Sequence, residues 1–477
     1  MNIILSHLAF LFFSILILYL VRKENFSGAA HGLISFISVI FVFFITFSFH
    51  EVSNNKIVLF EFIENAPISF YIDSLGLVFL IISNLLWFCV AIYATRYLDI
   101  NKYDKKGDFY IFFLISMFAT NAIVYSSNLI TTFIFYELLT VATYPLVTFK
   151  KDEESVNSGK KYLYYLLGTS IVFLLPAIVI TYIQNGSVEY TQGGIFSSSN
   201  QIITLIALIL FTLGVAKSAL MPFHKWLPTA MVAPTPVSAL LHAVAVVKSG
   251  VYIIIKIILF IFGIEVIKDN GAVFIILLAS FTTIIASIIA LKQDSIKLRL
   301  AYSTIGQLAY IVLATAILTP FSILAAVLHL AFHALGKIIL FLSAGIIATR
   351  VNVKYVSEMN GISTSLPYTS LLLSLGAIIM VGLPPTIGFI SKWFLIQGII
   401  DADMYILVSV IILSTILNAA YYFPMIYKPF FGPSNKTFTY KEDMFLVLPV
   451  ALIGLISVVL FFTAETFIIF IEQQILL

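Results

Sequence analysis

Residues 320–349 have the sequence PFSILAAVLHLAFHALGKIILFLSAGIIAT, an apolar run that is long enough to cross a bilayer and yet contains three titratable side chains. His329, His333 and Lys337 are spaced four residues apart, so an α-helix places them in one line about 12 Å long. A charged side chain in a bilayer centre costs ~2.5–3.5 kcal/mol on insertion scales, and such groups usually face the interior of a helix bundle. The stretch therefore predicts a membrane helix whose polar side lines a path for ions or protons.

The whole composition is that of a membrane protein. Of the 477 residues, 61% are hydrophobic and 10% are charged, and the mean hydropathy is +1.07. A soluble domain with that much apolar surface would aggregate. The single cysteine, Cys89, excludes an intramolecular disulfide and a multi-cysteine cluster. Residues 1–20 lack a basic start and a small-residue cleavage site, so we expect a retained first span.

Runs of about 20 apolar residues predict about fourteen transmembrane helices. The predicted spans are 2–21, 30–50, 72–95, 108–126, 128–149, 160–183, 202–232, 235–262, 271–291, 295–318, 320–349, 365–400, 404–430 and 444–471. The seventh and twelfth are too long for one straight helix. They contain Pro222 and Pro384-Pro385, at which a helix loses a backbone donor and kinks or breaks. Such breaks are tolerated at membrane depth where they are buried or line a wet cavity.

The basic residues predict the orientation of these spans. With alternating loops, nineteen of the 26 Lys and Arg residues lie on one side, and Lys56 and Lys268 lie on the other. The remaining five lie within spans. Because inner loops are enriched in Lys and Arg, this split predicts a multi-pass protein of the cell membrane with both termini on the outer side.

The two broken spans are five positions apart, which predicts two five-helix repeats of opposite orientation, at 108–262 and 271–430. N-terminal helices over 1–107 and a last helix at 444–471 complete a single membrane domain over 1–477. The predicted fold class is therefore an all-α integral membrane protein with inverted repeats and broken seventh and twelfth helices.

Glu137 is the one acid near the centre of a predicted span, and Lys217 lies five residues before Pro222. Burial and a neighbouring ammonium act on the proton affinity of a carboxylate in opposite directions, so the state of a partner can switch it. We expect Lys217 to be this partner. The alternative is a fixed ion pair that only holds two helices together.

The other candidate proton carriers lie further along the sequence. Lys248 and Lys256 are eight residues apart and share a helix face, while His242 lies on the same span about a third of a turn away. Lys392 follows the second proline break by two turns and would end the row. Histidine titrates near neutrality and burial brings lysine toward that range, so both can exchange protons. A hydrogen-bonded packing role is the alternative for each histidine.

Other kinds of site are not indicated. His329 and His333 have the spacing of metal ligands, but the stretch has no carboxylate or cysteine to complete the set, and Lys337 would repel a cation. Nucleotide-binding glycine motifs are absent from the sequence. We therefore expect no metal, no cofactor, no catalytic centre and no nucleic-acid partner for this protein.

The sequence resembles the antiporter-like subunits shared by respiratory complex I, membrane-bound hydrogenases and Mrp-type Na+/H+ antiporters. The resemblance covers spans four to thirteen, about two-thirds of the sequence. The motifs that carry it are Phe135-Tyr136-Glu137, Lys217 before Pro222-Phe223-His224-Lys225-Trp226-Leu227-Pro228, Ala233-Pro234-Thr235-Pro236 through His242, Lys248-Ser249-Gly250-Val251-Tyr252, Leu300-Ala301-Tyr302-Ser303-Thr304, His329 through Phe341-Leu342, and Gly382-Leu383-Pro384-Pro385 with Lys392.

The resemblance implies a role for each matching residue. It implies a charged pair in the first half-channel (Glu137 and Lys217), a connecting lysine (Lys248), a central relay (His329, His333 and Lys337) and the lysine of the second half-channel (Lys392). At the inner entrance the sequence differs from the family pattern, because Ser295 and Leu298 stand where the family often has Ile or Leu and a basic residue.

The resulting hypothesis is a proton-translocating subunit of a multisubunit complex. Lys392, the length and the lack of a long lateral helix favour a D-type subunit of a Na+/H+ antiporter, with H+, Na+, lipid and other membrane subunits as partners. The alternative is a proton-pumping subunit of an NADH:quinone oxidoreductase or a membrane-bound hydrogenase. A scaffold and a free-standing solute transporter are further interpretations, and the retained buried charges argue against the scaffold.

Overall fold

The computed structural model describes residues 2–24, 26–53, 55–61, 63–196, 200–433 and 441–472, and most of them are helical. The main helices are α1 (Ile3–Leu20), α2 (Ser27–Phe47), α3 (Ser74–Ile100), α4 (Lys106–Tyr125), α5 (Leu129–Val147), α6 (Glu153–Asn185), α7 (Gln201–Gly214), α8 (Thr235–Phe262), α9 (Ala272–Lys292), α10 (Ile296–Ile317), α11 (Pro320–Val351), α12 (Pro367–Val381), α13 (Ile387–Asp401), α14 (Ile406–Phe431), α15 (Met444–Phe462) and α16 (Ala464–Ile471). Lys436, one of the nineteen residues assigned to the inner side, lies outside the described residues.

This architecture confirms the predicted all-α membrane fold. Within the described ranges, twelve helices are long and apolar enough to cross a membrane. The predicted seventh and twelfth spans are the interrupted ones: α7 stops at Gly214, and α12 and α13 are separated by residues 382–386. The total of fourteen spans and the inverted repeat remain predictions.

Helices α8, α10 and α11 occupy the centre of the bundle. The buried share of the most apolar 18-residue stretch is 100% in α11, 94% in α10 and 89% in α8, but 33% in α1 and α2. A helix that is apolar all round and also buried all round belongs to the interior of a large bundle. The titratable side chains within these stretches, such as Lys248, His333 and Lys337, are therefore enclosed by protein and do not face lipid.

A small sheet covers the end of the bundle at which α3 begins. Strands β1 (Ile57–Glu61) and β2 (Pro67–Phe70) pair antiparallel. The Asn128 amide donates to the Pro67 carbonyl at 2.7 Å, and Lys56 pairs with Glu189 at 2.8 Å. These contacts fasten the sheet to the start of α5 and to the segment after α6.

A fully buried polar cluster joins the N-terminal helices. The two ring nitrogens of His7 in α1 lie 2.8 Å from the Tyr125 hydroxyl and 2.7 Å from the Ser38 hydroxyl. Ser38 donates to Asn84, and the Asn84 amide donates to Asn121, each at 2.8 Å. Buried polar groups that are all satisfied fix one arrangement of their helices. The cluster thus sets the packing of α1 and α2 against α3 and α4.

Candidate functional site

Lys217 lies in the first break, on a single 3₁₀ turn, Ala216–Ser218, that follows the end of α7. The backbone leaves the α-helix at Gly214, so Pro222 lies inside the non-helical stretch and not at its start. The freed backbone groups are satisfied by side chains: the Trp226 indole donates to the Ala216 carbonyl at 2.8 Å, and the Lys217 amide donates to the Tyr136 hydroxyl at 3.2 Å. A break at membrane depth requires this kind of compensation.

The Lys217 ammonium is held by α5, beside Glu137. It donates to the Tyr136 carbonyl at 2.8 Å and to the Thr140 hydroxyl, and it lies 3.1 Å from the centre of the Tyr136 ring. Among the described residues, no ion pair joins Lys217 to Glu137. The Glu137 oxygens are enclosed and accept no hydrogen bond of regular geometry there, with Ser170 as a neighbour. Lys217 thus contacts α5 at Tyr136 and Thr140, which flank Glu137 in the sequence.

Helix α8 packs directly on the first break. A Cβ atom on Gly250 would lie 2.3 Å from the Lys217 carbonyl carbon and 2.3 Å from the Ser218 nitrogen. Real Cβ atoms do not approach backbone atoms this closely, so only glycine permits the contact. It brings the backbone of α8, two residues after Lys248, against the segment that carries Lys217.

Lys248 also contacts the row on α11. Its ammonium lies 2.6 Å from Nδ1 of His333, and both side chains are buried. The His333 and His329 rings stack with their centres 6.0 Å apart, as their spacing of four residues predicts. Nε2 of His333 is enclosed and has no hydrogen-bond partner among the described residues. The structure therefore joins α8 to α11 through two titratable groups in direct contact.

His329 connects the row to the second break. Its ring nitrogens each lie 2.9 Å from a polar oxygen, on Gln307 and on Ser391. Ser391 precedes Lys392, whose ammonium donates to the Val381 carbonyl at 2.7 Å. Val381 is the last residue of α12, so Lys392 lies at the negative end of a half-helix, where the helix dipole favours a cation.

Lys337 belongs to a separate polar group, which lies closer to the C-terminal end of α11 than His329 and His333 do. It donates to the Leu300 carbonyl at 3.1 Å, to the Ser303 hydroxyl at 2.8 Å and to the Tyr422 hydroxyl at 3.0 Å. Tyr421 donates to Ser303 at 2.9 Å. Sequence reasoning missed these hydroxyl partners, although Ser303 lies within a motif that it did single out.

Arg299 continues this polar group toward the end of the bundle at which α10 begins. Its guanidinium donates to the Tyr421 carbonyl and to the Gln293 carbonyl, each at 2.8 Å. Asp294 accepts from the Ser357 hydroxyl at 2.6 Å. The stretch that differs from the family pattern, residues 294–299, therefore contains a buried arginine. Arg299 lies between the polar group around Lys337 and the surface residues Asp294 and Ser357.

His242 lies apart from the Lys248–His333 contact. It is on a π-helical turn, Leu240–Val244, and not on a regular α-helix. Its Nδ1 lies 3.1 Å from the Thr304 hydroxyl, and its ring packs 4.5 Å from that of Phe341. A π-helical turn contains more residues than an α-helical turn. The angle between His242 and Lys248 around the helix axis therefore differs from the one expected for a regular α-helix.

Lys256, at the far end of the α8 row, forms an ion pair with Asp73, which sequence reasoning missed. Asp73 is the N-cap of α3 and accepts from the Gly76 amide at 2.7 Å. An aspartate just before an apolar run is an N-cap signal, so its capping role was predictable. The lysine partner was not, because it comes from a helix more than 180 residues away.

Thr140→Val is expected to slow any proton transfer through Lys217 by about 10- to 100-fold, because a hydrogen bond to a charged group contributes roughly 1.5–3 kcal/mol. The change keeps the shape of the side chain and removes one of the two acceptors of the ammonium. Proton flux in vesicles, normalised to the amount of protein, measures it. The control is Thr181→Val, because the buried Thr181 hydroxyl bonds the Ala177 carbonyl of its own helix. Equal fluxes for both variants would contradict the expectation.

Known proteins share both the sequence and the shape of this chain. A putative antiporter subunit mnhA2 from Staphylococcus saprophyticus is 29% identical over 433 residues, and its counterpart from Staphylococcus aureus is 30% identical over 427 residues. The alignments cover 84% and 83% of this chain and 53% of each relative, so the chain spans about half the length of the curated relatives it matches.

Two solved structures show the same fold. One protein of the membrane-bound sulfane sulfur reductase, an archaeal respiratory membrane complex, superposes with a TM-score of 0.87 at 22% identity, covering 99% of this chain and 97% of that one. One protein of the Mrp complex from Dietzia sp. superposes with a TM-score of 0.85 at 24% identity, covering 96% of this chain and 50% of that one. At these identities the superpositions support the fold alone.

The family described as "NADH:quinone oxidoreductase/Mrp antiporter, TM" matches residues 126–418, which include both breaks and the rows on α8 and α11. That range is more than half of the sequence. The chain belongs to the NADH:quinone oxidoreductase/Mrp antiporter membrane family.

Proposed function

We propose that this protein carries protons across the cell membrane as one subunit of a multisubunit monovalent cation (Na+)/H+ antiporter, with both termini on the outer side. The observation that carries the proposal is the 2.6 Å contact between Lys248 and His333. This contact joins α8, which packs on the segment that bears Lys217, to the row on α11. The homology to putative antiporter subunits supports an assembly with other membrane subunits.

The proposed transfer depends on electrostatic coupling between enclosed groups. When Lys217 is protonated, its charge attracts the enclosed Glu137 carboxylate, and when it is neutral this attraction is lost. Two unit charges about 6–8 Å apart interact by about 2–3 kcal/mol at an effective dielectric near 20. That energy suffices to change the protonation of the next lysine, Lys248, and through it the state of His333 and His329.

We propose that Lys392 is typical of a D-type subunit or of its relative in membrane-bound hydrogenases. Its ammonium lies against the carbonyl end of α12, in the second break, and would exchange protons with the far half of the path. The relatives named above are putative mnhA2 antiporter subunits about twice the matched length, and the alignments cover 53% of each of them. We therefore assign the transport role to the helices described here.

The test is to purify the tagged protein from its own host with its partners and to measure proton flux in vesicles. Glu137→Gln and Lys217→Ala should each lower the Na+-driven proton flux at least about 100-fold, the usual scale for a positioned proton-transfer group. Mass spectrometry of the complex should find small multi-span subunits. Full flux in both variants, at unchanged complex yield, would refute the proposal.

A redox-driven proton pump is the second candidate, since the matching family includes NADH:quinone oxidoreductases as well as Mrp antiporters. It would use the same residues with a different energy source. Flavin or iron–sulfur subunits in the purified complex, together with proton flux that requires an electron donor and not a Na+ gradient, would favour this candidate.

A further inference from the structure

One ion pair lies at the end of the bundle where Lys and Arg are scarce and where α3 begins. Asp73 and Lys256 pair there between α3 and α8. The Lys256 side chain is 2% exposed, whereas that of Asp73 is 12% exposed. The Lys256 ammonium also lies 4.4 Å from the centre of the Tyr190 ring and 4.9 Å from that of Phe260. The lysine is thus enclosed, and its carboxylate partner reaches the surface.

The pair continues the row on α8 that contains Lys248. Lys248, Tyr252 and Lys256 occupy successive turns on one face of the regular helical stretch Val246–Lys256. A Cβ atom on Gly76 would lie 3.1 Å from the Asp73 carboxylate and 3.3 Å from the Tyr252 hydroxyl. The hydroxyl and the carboxylate therefore border the same small space.

We propose that Asp73 and Lys256 form the port through which Lys248 exchanges protons with the aqueous phase on the face poor in Lys and Arg. The inference rests on the proposed function and adds an exit to it. The Lys256 ammonium gives a proton to the Asp73 carboxylate, which releases it to water. Neutral Lys256 then takes a proton from the Tyr252 hydroxyl, and the tyrosine recovers one from Lys248.

Few other titratable groups face this pair. Tyr71, Tyr190 and Tyr252 surround it, and the Glu189–Lys56 ion pair follows on the outer side of Tyr190. Tyr190 bonds the Thr132 hydroxyl at 3.0 Å. Among the residues that the structure describes on this face, the pair is the point where an enclosed lysine meets a carboxylate that is partly open to water.

Lys256→Arg separates transport from structure, because arginine keeps the ion pair and does not release a proton at accessible pH. We expect the purified complex to assemble and its proton flux to fall at least about 100-fold. Asp73→Asn is the second variant, since asparagine also caps a helix well and α3 keeps its start. The proton flux of Asp73→Asn should fall similarly. The pH dependence of its remaining flux should differ from that of the wild type when the pH is varied on the face poor in Lys and Arg, and not when it is varied on the other face.

The matched control is Asp443→Asn. Asp443 is also an N-cap residue, of α15, and it also forms an ion pair with a basic residue on α3, Arg96, at 2.8 Å. Its flux per assembled complex should equal that of the wild type. A wild-type flux in Lys256→Arg, or in Asp73→Asn if the arginine variant does not assemble, would overturn the port. If Glu137→Gln is inactive in the same experiment, that result leaves the proposed function standing. Wild-type flux in Glu137→Gln would count against the proposed function instead.

Discussion

Replacing Lys248 by methionine is expected to lower the proton flux of the assembled complex at least about 100-fold. Lys248 is buried, contacts His333 at 2.6 Å and lies two residues from the glycine that packs on the Lys217 segment. Methionine fills a similar volume but carries no proton. Since replacing a buried charge by an apolar group relieves its desolvation, folding should be preserved. Dye-monitored proton uptake in vesicles, normalised to complex content, measures the effect.

His333→Gln should reproduce most of this loss, because glutamine can hydrogen-bond but cannot carry a proton. The control is His7→Gln. His7 is another buried histidine, hydrogen-bonded through both ring nitrogens, and its contacts lie among the N-terminal helices. If His7→Gln lost as much flux as His333→Gln, general destabilisation would explain both results, and the relay through Lys248 would be refuted.

The parts of this site that could be predicted are those that depend on one helix. Helical periodicity places His329 and His333 on one face, and the structure stacks their rings. Composition and apolar run length identify the membrane fold, since a bilayer accepts few other arrangements. The two apolar runs that are too long for one helix and contain proline correctly predict both interrupted spans, because proline kinks or breaks a helix.

The contacts between helices could not be predicted, because they depend on packing that no spacing encodes. Nothing in the sequence shows that Lys248 contacts His333, or that Lys217 donates to the Tyr136 carbonyl. His242 illustrates a local limit, because one π-helical turn changes its direction. The backbone carbonyls that accept hydrogen bonds from Lys217, Lys337 and Lys392 could not be predicted either, because every residue has a carbonyl.

Both interrupted spans depend on glycines that let backbone approach backbone. Near the first, a Cβ atom on Gly250 would lie 2.3 Å from backbone atoms of Lys217 and Ser218. Near the second, a Cβ atom on Gly388 would lie 1.8 Å from the Ile379 carbonyl oxygen. At both glycines, an added Cβ atom would meet backbone atoms and not a flexible side chain that could move aside. A larger residue at either position would therefore force the packed segments apart.

Gly388→Ala is therefore expected to destabilise the protein by at least about 1–3 kcal/mol, the usual cost of overpacking a close contact. Because α13 would move away from α12, Lys392 would also lose its 2.7 Å bond to the Val381 carbonyl, and proton flux should fall with stability. Thermal unfolding in detergent and vesicle flux measure the two effects. The control is Gly168→Ala in α6, where a Cβ atom meets nothing within 4 Å and alanine favours the helix by about 1 kcal/mol. A Gly388→Ala protein with unchanged melting and flux would show that the second break tolerates separation, and the positioning of Lys392 by α12 would then not be required.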